Sequence, residues 1–149
     1  MKLENEHDLQ VAVVAYIRHN YPNALLTASF GELQTTPYRR IKCYKKGYLS
    51  GDCDLKLNNL HKHYAGFVIE LKSPTGKGRL TDKQKNVLGL YALNNFKCLV
   101  SNNYDEITAE IDEYMQDVRI KCHLCENKYY FKTMNSLLKH LKHFHNEEI

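Results

Sequence analysis

Gly66-Phe67-Val68-Ile69-Glu70-Leu71-Lys72 is the stretch on which the fold turns. Its centre is one aromatic and two β-branched residues, Phe67-Val68-Ile69, followed by an acid, a leucine and a base, a composition rich in strand formers. Residues two apart on a strand share a face, so Glu70 and Lys72 project together while Leu71 points into the core. Upstream, Gly51-Asp52-Cys53-Asp54 is a glycine-led turn, and Asp54-Leu55-Lys56-Leu57 alternates as a short strand. A neighbouring strand can bring Asp54 beside Glu70. Two carboxylates from adjacent strands form a hard oxygen site suited to Mg²⁺ or Mn²⁺. A lysine beside such a site can help bound water lose a proton, or stabilise the charge that develops on phosphorus. These are the parts that phosphodiester hydrolysis needs. On spacing alone, a Glu-x-Lys pair at a strand end is more often a surface ion pair, and that alternative stays open.

Working outward, a first helix is predicted over Leu3–His19. Leu9, Val13 and Ile17 recur there at helical spacing beside Ala12 and Tyr16, and Tyr21-Pro22-Asn23 stops it. Ala24–Ser29 reads as a strand, whereas 30–50 is polar, basic and without an assignable pattern. After the loop Ser73-Pro74-Thr75-Gly76-Lys77-Gly78, Thr81 opens a helix with Gln84 at capping-box spacing. The expected buried side of that helix is Val87, Leu88, Leu90, Tyr91 and Leu93. Phe96–Ser101 is a further strand. Asn103 and Glu106 offer a second cap of the same kind, before a helix with an Ile107, Ile111, Met115 stripe. The order α-β-β-β-α-β-α implies an α/β sandwich built on a mixed sheet flanked by helices.

The 149 residues carry a formal net charge of +4 and a pI near 8.7, compatible with a polyanionic partner. Arg39, Arg40, Lys42, Lys45 and Lys46 crowd one stretch, and Lys139 and Lys142 belong to a second basic set near the C-terminus. Each cluster is either a solvated face or a nucleic-acid contact. No run of 18 apolar residues occurs and the N-terminus lacks an apolar signal core, so an intracellular, non-secreted location is expected. In a reducing setting the five cysteines are not a disulfide framework. Cys43, Cys53 and Cys98 have no regular spacing with histidine and read as buried or incidental thiols. Gly76-Lys77-Gly78 lacks the other residues of a phosphate-binding P-loop.

The pattern changes near 116–120, which divides the chain into 1–118 and a tail, 119–149, too short to hold itself by burial. Cys122 and Cys125 are spaced C-x2-C, and His140 and His145 have four residues between them. Phe131 and Leu137 stand where a small ββα zinc finger keeps its core. The gap from Cys125 to His140 is 14 residues, longer than the usual 12, so an extended hairpin is expected. His143 competes with His145 as fourth ligand, and His145 has the better helical spacing. Four protein ligands leave no open position, so this zinc is structural. Whether such a finger touches DNA or protein stays open, since one finger reads only about 3 base pairs.

From Glu6 to Tyr114 the chain resembles the VRR-NUC branch of the PD-(D/E)XK nucleases. The resemblance rests on Glu6 with Gln10 four residues on, and on the Gly47–Asp54 stretch. It also rests on Val68-Ile69-Glu70-Leu71-Lys72, on Gly76, on Gln84, and on Tyr104-Asp105-Glu106 opening the last helix. Cys53 stands where the family usually has proline, which bears on turn geometry rather than chemistry. The resemblance implies a restriction-endonuclease-like α/β core and a metal-dependent DNA endonuclease. Asp54 and Glu70 would be ligands of Mg²⁺ or Mn²⁺, Lys72 the catalytic cation and Glu6 an additional carboxylate. Gln84 would line the site. Glu6 also reads as a solvated helix-start acid, and Gln84 as a cap. Stand-alone members, often viral or phage, are similar to dimeric Holliday-junction resolvases. That implies a homodimer acting on branched DNA in the nucleus or cytoplasm of a host cell. Cleavage of flaps or plain duplex, or DNA binding without catalysis, are the alternatives.

Overall fold

The computed structural model describes residues 3–29, 36–76, 78–118, 120–121, 124–125, 130–131 and 134–145. Helix α1 (Glu6–Asn20) starts at Glu6 rather than Leu3, because Asn5 caps it by accepting from the Asp8 amide at 2.9 Å. It buries Leu9, Ala12, Val13 and Ile17. Strand β1 (Leu26–Ala28) is shorter than its apolar run. The unassigned stretch contains a helix, α2 (Pro37–Lys45), with Thr36 as cap and Pro37 in the first turn. It buries no side chain, so no apolar periodicity marked it. Then follow β2 (Leu55–Leu57), β3 (Gly66–Leu71), α3 (Asp82–Leu93), β4 (Phe96–Ser101) and α4 (Tyr104–Gln116).

These strands form one mixed sheet in the order β1-β2-β3-β4, antiparallel except for the parallel β3–β4 pair. Helices flank it, as expected. Leu55, Leu57, Phe67, Ile69 and Leu71 present one face to Leu9, Val13 and Ile17 of α1 and to Ile107, Ile111 and Tyr114 of α4. Each such side chain, fully buried, contributes about 1.5–3 kcal/mol. Asn103 caps α4 through the amides of Asp105 and Glu106, but Glu106 does not close a box. Its carboxylate takes the Ser101 hydroxyl instead.

The expected buried side of α3 is found only in part: Val87 is buried, Leu88 and Tyr91 are half-buried, and Leu90 is 54% and Leu93 84% exposed. The sheet beneath explains this. Val68 and Glu70 point away from the main core, and register sets Lys56 opposite Val68. A partly polar layer gives α3 little apolar surface to cover, and it answers with Gln84 and Tyr91.

In the tail, β5 (Ile120–Lys121) pairs antiparallel with β6 (Tyr130–Phe131), and α5 (Met134–His145) follows. Leu137 and Leu141 pack with Phe131 and Cys125. Among the described residues no helix is long and apolar enough to cross a membrane.

Candidate active site

Pairing of Leu55 with Ile69 in the antiparallel β2–β3 ladder sets Asp54 against Glu70. Asp54 stands just outside β2, and its Oδ2 accepts from the Leu71 amide at 2.7 Å. The carboxylate is thereby fixed to the strand that carries Glu70. Glu70 is fully buried. Its Oε1 accepts from Lys72 Nζ at 2.6 Å and from the Gln84 amide. Its Oε2 is buried with no hydrogen-bond partner.

A carboxylate in this position is out of balance. Burial, then the charge of Glu70, push Asp54 up to about 7 against the opposing Leu71 amide bond, with Glu6 adding to the rise. Burial also raises Glu70, opposed by the Lys72 and Gln84 bonds and reinforced by Glu6. Glu6, in the first turn of α1, is therefore close enough to both acids to repel them. Asp54 and Glu70, with one unpartnered buried oxygen, are a donor pair that a hard divalent cation fits, whereas Glu6 is not drawn into a three-acid cluster with them.

The supports of this pair were not all foreseen. Gly51 takes φ +84°, and a Cβ there would stand 2.9 Å from the Lys83 carbonyl carbon, so only glycine lets the turn lie this close to α3. At the start of α3, Gln84 Oε1 accepts from the Thr81 amide at 2.9 Å while its Nε2 reaches Glu70. Cap and contact to Glu70 are made by opposite ends of one amide. Asp52 accepts from Lys56 Nζ at 2.6 Å and from the Tyr91 hydroxyl at 2.7 Å. This clamp ties the Gly51–Asp54 turn to α3. Nothing in the sequence spacing connects Tyr91 to Asp52.

Beside the acids lies a groove of about 690 Å³. His7, Gln10, Val14 and Arg18 of α1 form one wall, and Asp52, Asp54 and Gln84 lie at the acid end. Ser29 and Tyr48 also line it, joined through their hydroxyls at 2.6 Å. The Tyr48 amide donates to the Cys43 carbonyl of α2 at 3.0 Å, which holds the C-terminal end of α2 beside this wall of the groove. Arg39, Arg40, Lys42 and Lys45 on α2 and Lys46 just after it are exposed, and so are Lys139 and Lys142 on α5.

In the tail, the Cys125 thiol lies 3.1 Å from His140 Nε2 and 3.0 Å from His145 Nε2. One sulfur and two imidazoles within 4.8 Å of one another suit zinc by donor type. His143 stands outside this group, edge-on to Phe144. Cys122 lies outside the described residues.

No family model and no curated protein sequence matches this chain. A solved structure described as a "VRR_NUC domain protein" superposes with a TM-score of 0.65 at 20% identity. The match covers 79% of this chain and 93% of that one. The chain thus shares its fold with a VRR_NUC domain protein.

Proposed function

We propose that the chain is a divalent-metal-dependent DNA endonuclease that prefers branched substrates and acts as a homodimer. The observation that carries this is Glu70 Oε2, buried and unpartnered beside Asp54 on the adjacent strand, with Lys72 on the same face. Asp54 and Glu70, with Glu6 as an additional carboxylate, would hold Mg²⁺ or Mn²⁺, which supplies an activated water and neutralises phosphate charge. The chain's own contribution is orientation. The Leu71 amide holds one oxygen of Asp54, and Lys72 and Gln84 hold Oε1 of Glu70, leaving Oε2 open. Lys72 also keeps a cation where the pentacovalent phosphorus gathers negative charge. Exposed cations on α2, with Lys139 and Lys142 on α5, give the phosphate backbone its contacts.

Residues 119–149 form a separate zinc-held module on this reading, with Cys122, Cys125, His140 and His145 as ligands. A four-way junction has two symmetry-related cut sites, which a two-fold dimer matches. The test is cleavage of a four-way junction, a flap and a linear duplex of shared sequence, with Mg²⁺, Mn²⁺ or chelator. Paired symmetric nicks in the junction are expected, with Lys72→Ala slower by at least about 10²-fold. Wild-type rates from Lys72→Ala would refute the assignment of the site. Equal rates on all three substrates would remove the branched preference and keep the nuclease.

A further inference from the structure

Helix α2 contributes no buried side chain to the core among the described residues, and Cys43 is its only partly covered residue. On the side away from Cys43 it exposes two tyrosines and an isoleucine at three-residue intervals. Tyr38 is 73%, Ile41 57% and Tyr44 72% exposed. Large amphipathic rings are held in water on a helix whose packing does not use them. Around them stand Arg39, Arg40, Lys42, Lys45 and Lys46, and no acid occurs between Thr36 and Ser50.

We propose that α2 is a stacking platform for unpaired bases of a DNA strand entering the groove beside Asp54 and Glu70. Charge complementarity selects the partner: a phosphate chain satisfies the cations, and unpaired bases offer flat faces to the tyrosines. An apolar protein surface would cover the rings but strip water from Arg39, Lys42, Lys45 and Lys46 beside them. A closed duplex would satisfy the cations but leave the rings in water, since its bases already stack on one another. Single-strand sites in general combine a basic track with aromatic side chains on which bases stack. The location agrees, because α2 lies between Ser29 and Tyr48, both of which line the groove. The inference deepens the nuclease proposal and rests on it for the path of the strand. Its content is that the bases next to the cut are unpaired, as at a branch point.

The test uses the full chain with no added Mg²⁺ or Mn²⁺, so that nothing is cut and the tail keeps its metal, with a fluorescently labelled oligo-dT and a duplex of equal length. Tyr38→Ala with Tyr44→Ala should weaken oligo-dT binding by about tenfold or more, given roughly 1–3 kcal/mol per stacked base. Duplex binding should weaken by clearly less. Tyr38→Phe with Tyr44→Phe should restore oligo-dT affinity, because stacking needs the ring and not the hydroxyl. The slope of log affinity against log salt should stay unchanged in both doubles, since tyrosine displaces no counterion. An alanine double that binds oligo-dT as wild type does would overturn the platform, as would equal losses on duplex and single strand. Failure of the nuclease proposal reads differently: no cleavage with Mg²⁺ or Mn²⁺, whatever α2 binds.

Discussion

Asp54 carries the most informative single-residue behaviour. In the folded, metal-free protein it keeps its proton up to about pH 7, because burial and Glu70 oppose its charge. In the unfolded chain a carboxyl of this type ionises near 4. Folding therefore takes up a proton across that window, and the Asp54 contribution to stability falls as pH rises from about 4 to about 7. Asp54→Asn removes the cost. Thermal melts in chelator should find the variant more stable than wild type by about 2 kcal/mol at pH 8, screening keeping it below the full value. The gap should close near pH 4, and a gap that does not change with pH would show that Asp54 is not the strained carboxyl. Added Mn²⁺ should reverse the order at pH 8, by stabilising only the protein that keeps the acid. Cys53 next door is a contrast. Burial pushes its thiol up to about 12, so it is an inert core residue. Acid and base were legible from Glu70-Leu71-Lys72 because strand alternation fixes who shares a face. The tyrosine clamp on Asp52 was not, because Tyr91 is 39 residues from it in sequence.

At the scale of elements, α3 and the tail behave in opposite ways. The α3 capping box is complete, with Thr81 and Gln84 each bonded to the other's backbone. Thr81→Ala should lower stability by about 1 kcal/mol, read as a shift in urea midpoint, and Thr81→Ser should restore most of it. The same variant removes the Thr81 hydroxyl that donates to Gln84 Oε1 at 3.1 Å and leaves only the backbone amide to hold it, so half-maximal Mg²⁺ for cleavage should rise. That second effect separates a cap that also orients Glu70 from a cap alone. In the tail, β5 and β6 are two residues each, and among the described residues the buried apolar cluster is Leu137 and Leu141. So little burial cannot offset the ordering of α5 without a metal. One zinc per chain is expected by elemental analysis. Cys122→Ser with Cys125→Ser should lose that zinc together with helical signal equivalent to α5. Zinc retained by that double variant would sink the ligand set. Caps, glycine turns and cysteine spacing made these elements visible in sequence, because each is a local device. Helix α2 escaped for the same reason inverted: with no buried side it has no periodicity to detect.

For the whole molecule, the distribution of cations predicts how it meets a polyanion. Affinity for duplex DNA should fall about 10³-fold between 50 and 200 mM salt if roughly six phosphates are contacted. Replacing Arg39 and Arg40 by glutamine should reduce the log–log slope by about 2, read by titration at four salt concentrations. An unchanged slope would remove α2 from the phosphate interface. Legible in the chain before folding were the strand–helix order apart from α2, the α1 and α4 apolar stripes, and the candidate acids with their lysine. All of these depend on contacts or periodicities within a few residues. That the sheet face under α3 is partly polar, and so that Leu90 and Leu93 stay exposed, emerges only when the strands pair. So do the simultaneous bonds of Gln84 to Thr81 and Glu70, and the Glu70 oxygen left without a partner. Those facts depend on which surfaces meet when strands distant in sequence pair. A register that sets Asp54 against Glu70 is specified by the closing of the whole core, not by any local stretch of chain.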